Sequence, residues 1–304
     1  MLRDLKDSVR EFWNENSCGE VYAVGTDLRE RLENHARERY VLEPWIHPFA
    51  DFPAGISKDV LEIGVGMGAD HLEWAKALPR SLAGIDITDR AISFTADRLG
   101  LYGLSSDLRV ADAENLPFPD ESFDIVYSYG VLHHSPDTAR AIQEVHRVLR
   151  PGGLAKIMIY HSRSLVGYML WLRYGLLALQ PLRPLRDIYA HHLESPGTKA
   201  FTIAEAHRLF SPFSSTDVRI SLGPGDLLEG AVGQRHRGLL LRAAKAVWPR
   251  WFIRRAMKGH GLGMLITAFR NPPISILSRH GGTAKDETKV EAVKDLGKVH
   301  PKGY

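Results

Sequence analysis

The 304-residue chain has one cysteine, Cys18, so no disulfide can form within it, and a reducing compartment is the simpler setting. It has no long apolar run. The longest, Ser164 to Leu179, is roughly 16 residues with Arg173 inside it, short of the ~20 that a spanning helix needs. The opening MLRDLKDSVREFWNENS carries charges every few residues and no apolar stretch, which is not a signal-peptide pattern. Charge of one sign is also scarce: 39 Lys+Arg against 36 Asp+Glu leave +3, too mild to argue for a nucleic-acid partner. With 44% hydrophobic and 25% charged residues, collagen-like, disulfide-scaffold and wholly disordered classes are excluded. The expectation is a cytoplasmic protein of two domains at ~150 residues each, or one large domain with insertions.

What is present is an alternation. Residues 1–57 are polar and predict an N-terminal helical cap. From Asp59 onward, short β-branched runs (DVLEIGV, LAGID, DLRVA, FDIVYSY, LAKIMIY) alternate with helical segments. In TARAIQEVHRVLR, Ile142, Val145 and Leu149 share one helix face, and Pro151-Gly152-Gly153 is expected to end that helix. TIAEAHRLF predicts a helix capped by Thr202, with Glu205 at the capping-box position. TDVRISL and LGMLITAF are the last two strands. The pattern predicts an α/β fold: a Rossmann-like doubly wound sheet of about seven strands, mostly parallel with an antiparallel last strand. Residues 58–270 form this domain, with inserts at 161–200 and 223–261 expected to make a helical lid. Residues 271–304, lysine-rich and poor in aromatics, predict a disordered tail.

The chemistry-bearing signals fall at strand ends. Glu62-Ile63-Gly64-Val65-Gly66-Met67-Gly68 is a strand running into three alternate glycines before a helix, where a backbone without Cβ can approach a ligand closely. Asp86 ends the next strand, where an acid can accept both hydroxyls of a ribose. Asp112 ends the third, where an acid can accept from an exocyclic amine. Each acid alone reads as a solvated loop residue. Together they converge where open α/β sheets bind ligands.

These residues, with Gly84-Ile85-Asp86, the run ADAENLPFPDESFDIVYSYGVLHHSPD from Ala111 to Asp137, and Val148-Leu149-Arg150-Pro151-Gly152-Gly153, resemble the class I S-adenosylmethionine-dependent methyltransferases. The resemblance is to the small-molecule branch that includes ubiquinone- and menaquinone-biosynthesis enzymes, and it covers about a third of the chain. It implies S-adenosyl-L-methionine as cofactor. Glu62, Gly64, Gly66 and Gly68 would frame its methionine part and Asp86 its ribose. Asp112 and Ala113 would address adenine, and Ser128, Tyr129 and Gly130 would face the methyl group. An NAD-dependent oxidoreductase would want G-x-G-x-x-G, whereas the spacing here is G-x-G-x-G. A cofactor-binding scaffold or assembly protein without transfer activity stays open as the alternative.

Methyl transfer to an oxygen or carbon needs a proton removed, and His134, His161 and His133 are the candidate bases at the rim, with helix capping as the plainer reading. No metal is expected, since the paired histidines lack ligand spacing. Asn271-Pro272-Pro273 reads as a chain terminator, not as a nucleic-acid methylation loop. The inserts are apolar and basic. Residues 223–261 hold eight Lys/Arg, among them Arg235, Arg237, Arg242 and Lys245, against Asp226 and Glu229, with Trp248, Trp251 and Phe252 interleaved. They point to a small, apolar or lipid-like acceptor, whether O-, N- or C-methylated. They also point to peripheral membrane contact through 161–180 and 235–258, with nucleic acid disfavoured. An aromatic of the leading segment (Trp13, Tyr22 or Tyr40) is expected to cover the sulfonium.

Overall fold

The computed structural model describes residues 2–230 and 245–271. The sheet has seven strands: β1 (Asp59–Ile63), β2 (Ser81–Asp86), β3 (Asp107–Val110), β4 (Phe123–Tyr129), β5 (Leu149–Tyr160), β6 (Ser215–Ser221) and β7 (Gly263–Phe269). Their order is β3-β2-β1-β4-β5-β7-β6. The first five are parallel, and β7 runs antiparallel to both β5 and β6. The helices are α1 (Leu2–Glu15), α2 (Leu28–Leu42), α3 (Ile46–Ala50), α4 (Ala69–Lys76), α5 (Asp89–Gly100), α6 (Thr138–Val148), α7 (Leu165–Trp171), α8 (Leu185–His192), α9 (Ile203–Leu209), α10 (Pro224–Leu227) and α11 (Arg250–Ala256). The fold is the doubly wound sheet that the alternation predicts.

β1 is buried along its whole length, as a central parallel strand must be. Its side chains alternate. Leu61 and Ile63 pack with Val126, Ile142 and Val145, while Val60 packs with Trp74, Ile125 and Tyr127 on the other face. Register sets Ile63 beside Ile85 and Asp86 beside Val110, so the carboxyl ends of β1, β2 and β3 lie level. Strand order reverses at β1 and β4, which opens a crevice over those ends.

One local expectation turns out differently. Helix α6 ends at Val148, and Pro151-Gly152-Gly153 lies inside β5 rather than at a helix end. Phe123 pairs with Leu149 but Ile125 with Leu154, so the segment is a bulge. Pro151 has no N–H for the ladder and Gly152 adopts φ 82°. The disordered tail expected beyond Asn271 and the arginines Arg235, Arg237 and Arg242 lie outside the described residues. The capping box of α9 forms as read: Glu205 N donates to Thr202 Oγ1 at 3.2 Å, and Thr202 N donates to the Glu205 carboxylate at 2.7 Å.

The N-terminal segment is tied to the sheet by a buried ion pair. Arg39 on α2 donates twice to Asp70, which sits in the first turn of α4 (Nε–Oδ1 3.0 Å, Nη2–Oδ2 2.7 Å). Tyr40 and Tyr127 donate to the same carboxylate at 3.1 and 2.8 Å, completing four bonds. Burial raises the Asp70 carboxyl, but Arg39 and the two tyrosines outweigh it and hold the group below its ordinary range. The position at the N-terminus of α4 also suits a negative charge. The two inserts pack on each other instead of extending the sheet: Leu165 of α7, Leu227 of α10 and Ile253 of α11 form one cluster. Arg39→Met leaves Asp70 buried without its cation and is expected to cost about 3 kcal/mol in urea denaturation. A loss below 1 kcal/mol would mean that other contacts hold the segment.

Candidate active site

The loop after β1 is shaped by positive backbone angles. Gly64 has φ 84° and Gly66 φ 52°. A Cβ at Gly64 would lie 2.1 Å from Val131 Cγ2, so only glycine fits there. A Cβ at Gly66 would meet nothing within 4 Å, because that residue faces an open cavity. Gly64 N and Val65 N both donate to Ile85 O (2.7 and 3.1 Å), and Arg98 Nε donates to Met67 O at 2.7 Å, fixing the loop from β2 and from α5. Arg98 is fully buried, and its Nη2 donates to His35 Nδ1 at 3.3 Å. Burial pulls its guanidinium down to about 10, still charged at neutral pH.

Three acids from the strand ends line this cavity. Asp86 Oδ2 accepts from Gly66 N (3.1 Å), and Oδ1 accepts from the Thr88 N–H and hydroxyl (3.0 and 2.9 Å). Burial raises its carboxyl despite these bonds. Asp112 Oδ1 accepts from Glu114 N at 2.9 Å, while Lys6 on α1 bridges Asp112 and Glu114 at 2.5 and 2.7 Å. Glu62 contacts His71 Nδ1 at 3.0 Å, and His71 Nε2 contacts Ser106 Oγ at 2.8 Å. The Ser106 hydroxyl proton goes to Leu82 O, so Ser106 accepts from His71 Nε2. Burial holds His71 near 3, hence neutral, and leaves its Nδ1 as an acceptor. Glu62 then donates, as a neutral acid: burial, together with the Asp70 and Asp86 charges, pushes its carboxyl well up.

The far wall carries other groups. His134 Nδ1 lies 2.8 Å from Ser195 Oγ and 3.1 Å from Thr198 Oγ1. Glu194 Oε2 accepts from the Tyr160 hydroxyl at 2.7 Å and stands 3.4 Å from His134 Nε2. The Trp13 ring meets His134 edge-on, with centroids 5.1 Å apart. The roof is the N-terminal segment: Lys6, Val9, Trp13, Cys18, His35 and Arg39 all line the cavity.

Of the residues singled out from sequence, Glu62, Gly64, Gly66, Asp86, Asp112, Ala113, Tyr129 and His134 line this one cavity. The others do not. Gly68 is the N-cap of α4 and backs onto Thr95. The Ser128 hydroxyl donates to Ile63 O, stitching β4 to β1 inside the core. His161 is buried with Nδ1 against Gly261 O at 3.2 Å. The reason is strand parity: Met158 and Tyr160 face the cavity, so the next residue turns to the opposite face. His133 is fully buried beside the Tyr160 ring, and neither ring nitrogen has a hydrogen bond. Among the described residues, His133, His134 and Glu194 have donor atoms within 4.8 Å of one another, a grouping of possible metal ligands that spacing did not reveal because Glu194 comes from insert 161–200. Glu194 is also the insert's contribution to the cavity wall, whereas no described residue of 223–261 reaches it. Among the described residues, the roof of the cavity comes from the N-terminal segment, α1 and α2 included, and Leu227 and Ile253 of the second insert pack against Leu165 of the first.

Residues 61–157 match the family described as a methyltransferase domain. The 27-O-demethylrifamycin SV methyltransferase of Amycolatopsis mediterranei is 41% identical over 154 residues, 45% of this chain and 56% of that protein. The phthiotriol/phenolphthiotriol dimycocerosates methyltransferase of Mycobacterium tuberculosis (strain ATCC 25618 / H37Rv) is 43% identical over 97 residues, 32% of this chain and 35% of that protein. The chain thus spans about half the length, or less, of these curated relatives. A solved S-adenosylmethionine dependent methyltransferase from Mesorhizobium loti shares the fold with TM-score 0.50 and 15% identity, over 74% of this chain and 97% of that one. Residues 61–157 thus carry a methyltransferase domain.

The buried His35 gives the roof a pH dependence. Burial, then Arg98 and Arg39, holds its imidazole at about 3. An unfolded chain takes up this proton below about pH 6.5, and the folded chain does not. Stability therefore falls as pH drops from about 6.5 toward 3, by at most about 1.4 kcal/mol per pH unit from this group. His35→Gln is expected to flatten the acid side of a melting-temperature profile. An unchanged slope would show that His35 takes up its proton within the fold.

Proposed function

We propose that the chain is an S-adenosylmethionine-dependent methyltransferase that acts on a small, apolar or lipid-like acceptor by in-line displacement. The observation that carries this is the open space over Gly66, bordered by Glu62, Asp86 and Asp112, within a methyltransferase domain. These residues fit the cofactor: a backbone without Cβ for close approach, acids for sugar and base, and no need for a phosphate cradle. When bound, the cofactor supplies an electrophilic methyl group on a sulfonium.

The residues divide the work. Glu62 and the backbone of Gly64 and Gly66 hold the methionine part. Asp86, pinned by Gly66 and Thr88, accepts from the ribose hydroxyls, and Asp112 with Ala113 addresses the adenine edge. Tyr129 walls the methyl-bearing end, fixed by Trp45 Nε1 at 2.8 Å and by its own bond to Glu43 at 3.1 Å. His134, the one candidate histidine on the cavity wall, takes the acceptor's proton. Roof and wall exclude water and align the acceptor, which supplies most of the rate in a displacement of this kind. The names of the relatives, 27-O-demethylrifamycin SV and phthiotriol/phenolphthiotriol dimycocerosates, support an acceptor of small-molecule or lipid-like character.

Peripheral contact with a lipid surface belongs to the same reading. Among the described residues no helix is long and apolar enough to cross a membrane. Leu179 and Leu182 are 90% and 94% exposed, and Trp251 is 76% exposed on a helix that also bears Arg254 and Arg255. Exposed apolar groups beside arginines suit an anionic bilayer surface.

Asp86→Ala is expected to weaken S-adenosylmethionine binding in calorimetry by about tenfold or more. Unchanged affinity would remove the ribose assignment. Release of S-adenosylhomocysteine on adding a lipid-containing metabolite extract tests the activity itself, and its absence despite cofactor binding would favour a scaffold. Anionic liposomes at low salt should co-sediment the protein, and Leu179→Asp with Trp251→Asp should abolish this. Equal sedimentation of the double variant would rule out that surface.

A further inference from the structure

We infer that Glu194 is the positioning residue that makes His134 an effective base, and that the acceptor is methylated on a hydroxyl oxygen. The inference rests on the methyltransferase reading above. It concerns a residue outside the matched stretch 61–157.

The His134 ring is hydrogen-bonded at Nδ1 only. Thr198 Oγ1 donates its proton to Ser195 O at 2.6 Å, so toward His134 it acts as an acceptor, at 3.1 Å from Nδ1. Ser195 Oγ lies 2.8 Å from the same nitrogen. A proton on Nδ1 satisfies this arrangement and leaves the Nε2 lone pair unprotonated, on the side of the ring toward Glu194. Nε2 is buried and makes no hydrogen bond. Across from it stands the Glu194 carboxylate, 3.4 Å away, which the Tyr160 hydroxyl holds at 2.7 Å. That separation is longer than a charge-assisted hydrogen bond, about 2.7–2.9 Å, and closes readily once Nε2 carries a proton. Trp13 covers the ring edge-on and limits access by water.

The step balances as follows. The acceptor O–H bond breaks and its proton passes to Nε2. The oxygen's electron pair forms the new O–CH3 bond. The bond from methyl to sulfur breaks, and its electron pair stays on sulfur, which becomes a neutral thioether. The positive charge that leaves sulfur reappears on the imidazole, beside Glu194. A carboxylate there stabilises the charge where it forms. One segment, residues 194–198, therefore supplies both the support behind the ring and the anion in front of it.

Glu194→Gln keeps the size of the side chain and can still accept from Tyr160, but removes the charge. The probe is transfer of isotope-labelled methyl from S-adenosylmethionine to a ladder of 4-substituted phenols, from 4-methylphenol to 4-nitrophenol, with cofactor affinity measured by calorimetry. We expect kcat on 4-methylphenol to fall on the order of tenfold to a hundredfold. The loss on 4-nitrophenol, which arrives largely ionised above neutral pH, should be less than threefold, with cofactor affinity unchanged. Glu194→Asp should recover part of the loss on 4-methylphenol. Equal losses along the ladder, or no loss, would overturn the role of Glu194. Wild-type protein that binds the cofactor but methylates none of the phenols would overturn the hydroxyl assignment and leave the methyltransferase reading in place. Wild-type protein that does not bind the cofactor would instead defeat that underlying reading.

Discussion

The pairing of Arg39 with Asp70 is the contact on which the cavity depends. The sheet alone offers a crevice open to solvent above its carboxyl edge. The cavity has a wall and a roof because α1 and α2 lie over that edge, and α2 is held there by a guanidinium engaged with a buried carboxylate from two sides. Removing one partner leaves a charge in a place where water cannot solvate it, so the docking is close to all-or-none. Lys6 repeats the device at the other end of the roof, on Asp112 and Glu114, in a more exposed setting where the bond is weaker. The roof is thus firmly anchored over α4 and more lightly anchored over the third strand end.

Electrostatics divide the cavity into two regions of different character. Near β1 the acids are crowded, and the crowding is relieved by protonation: burial, with the Asp70 and Asp86 charges close by, keeps Glu62 neutral, and the neutral His71 accepts its hydrogen bond. That region can take a zwitterion without an excess of negative charge. Across the cavity, His134, Tyr160 and Glu194 form a smaller polar group among Trp13, Val131 and Met158. Few polar groups on a mostly apolar wall give orientation without demanding a polar acceptor. The first region is built from the ends of β1, β2 and β3, and the second from the segment after β4, the end of β5 and Glu194 of the following insert.

Legibility in the sequence tracked the range of the interaction. The glycine loop, the acids at the ends of β1, β2 and β3 and the capping box of α9 are all readable, because each follows a residue pattern at fixed spacing along the chain. The histidines show where that reading stops. His133, His134 and His161 look equivalent as text, yet only His134 lines the cavity. Strand alternation explains His161: Ile157 and Ile159 face the core cluster, so Tyr160 and not its successor faces the ligand side. The alternation that decides this is present in LAKIMIYH, whereas the chemistry of a histidine carries no information about which face it takes. Glu194 carried no local signal at all, since its meaning depends on Tyr160 and His134, 34 and 60 positions away.

Strand periodicity, the left-handed glycines and the placement of acids at strand tips are local matters of backbone sterics and burial, and the order of amino acids is enough to set them. Which helices roof the crevice, which acids keep their protons and which histidine meets the cavity were settled by packing between distant segments. These depend on how much water is excluded and which charges end up as neighbours, and neither quantity exists until the chain has closed on itself.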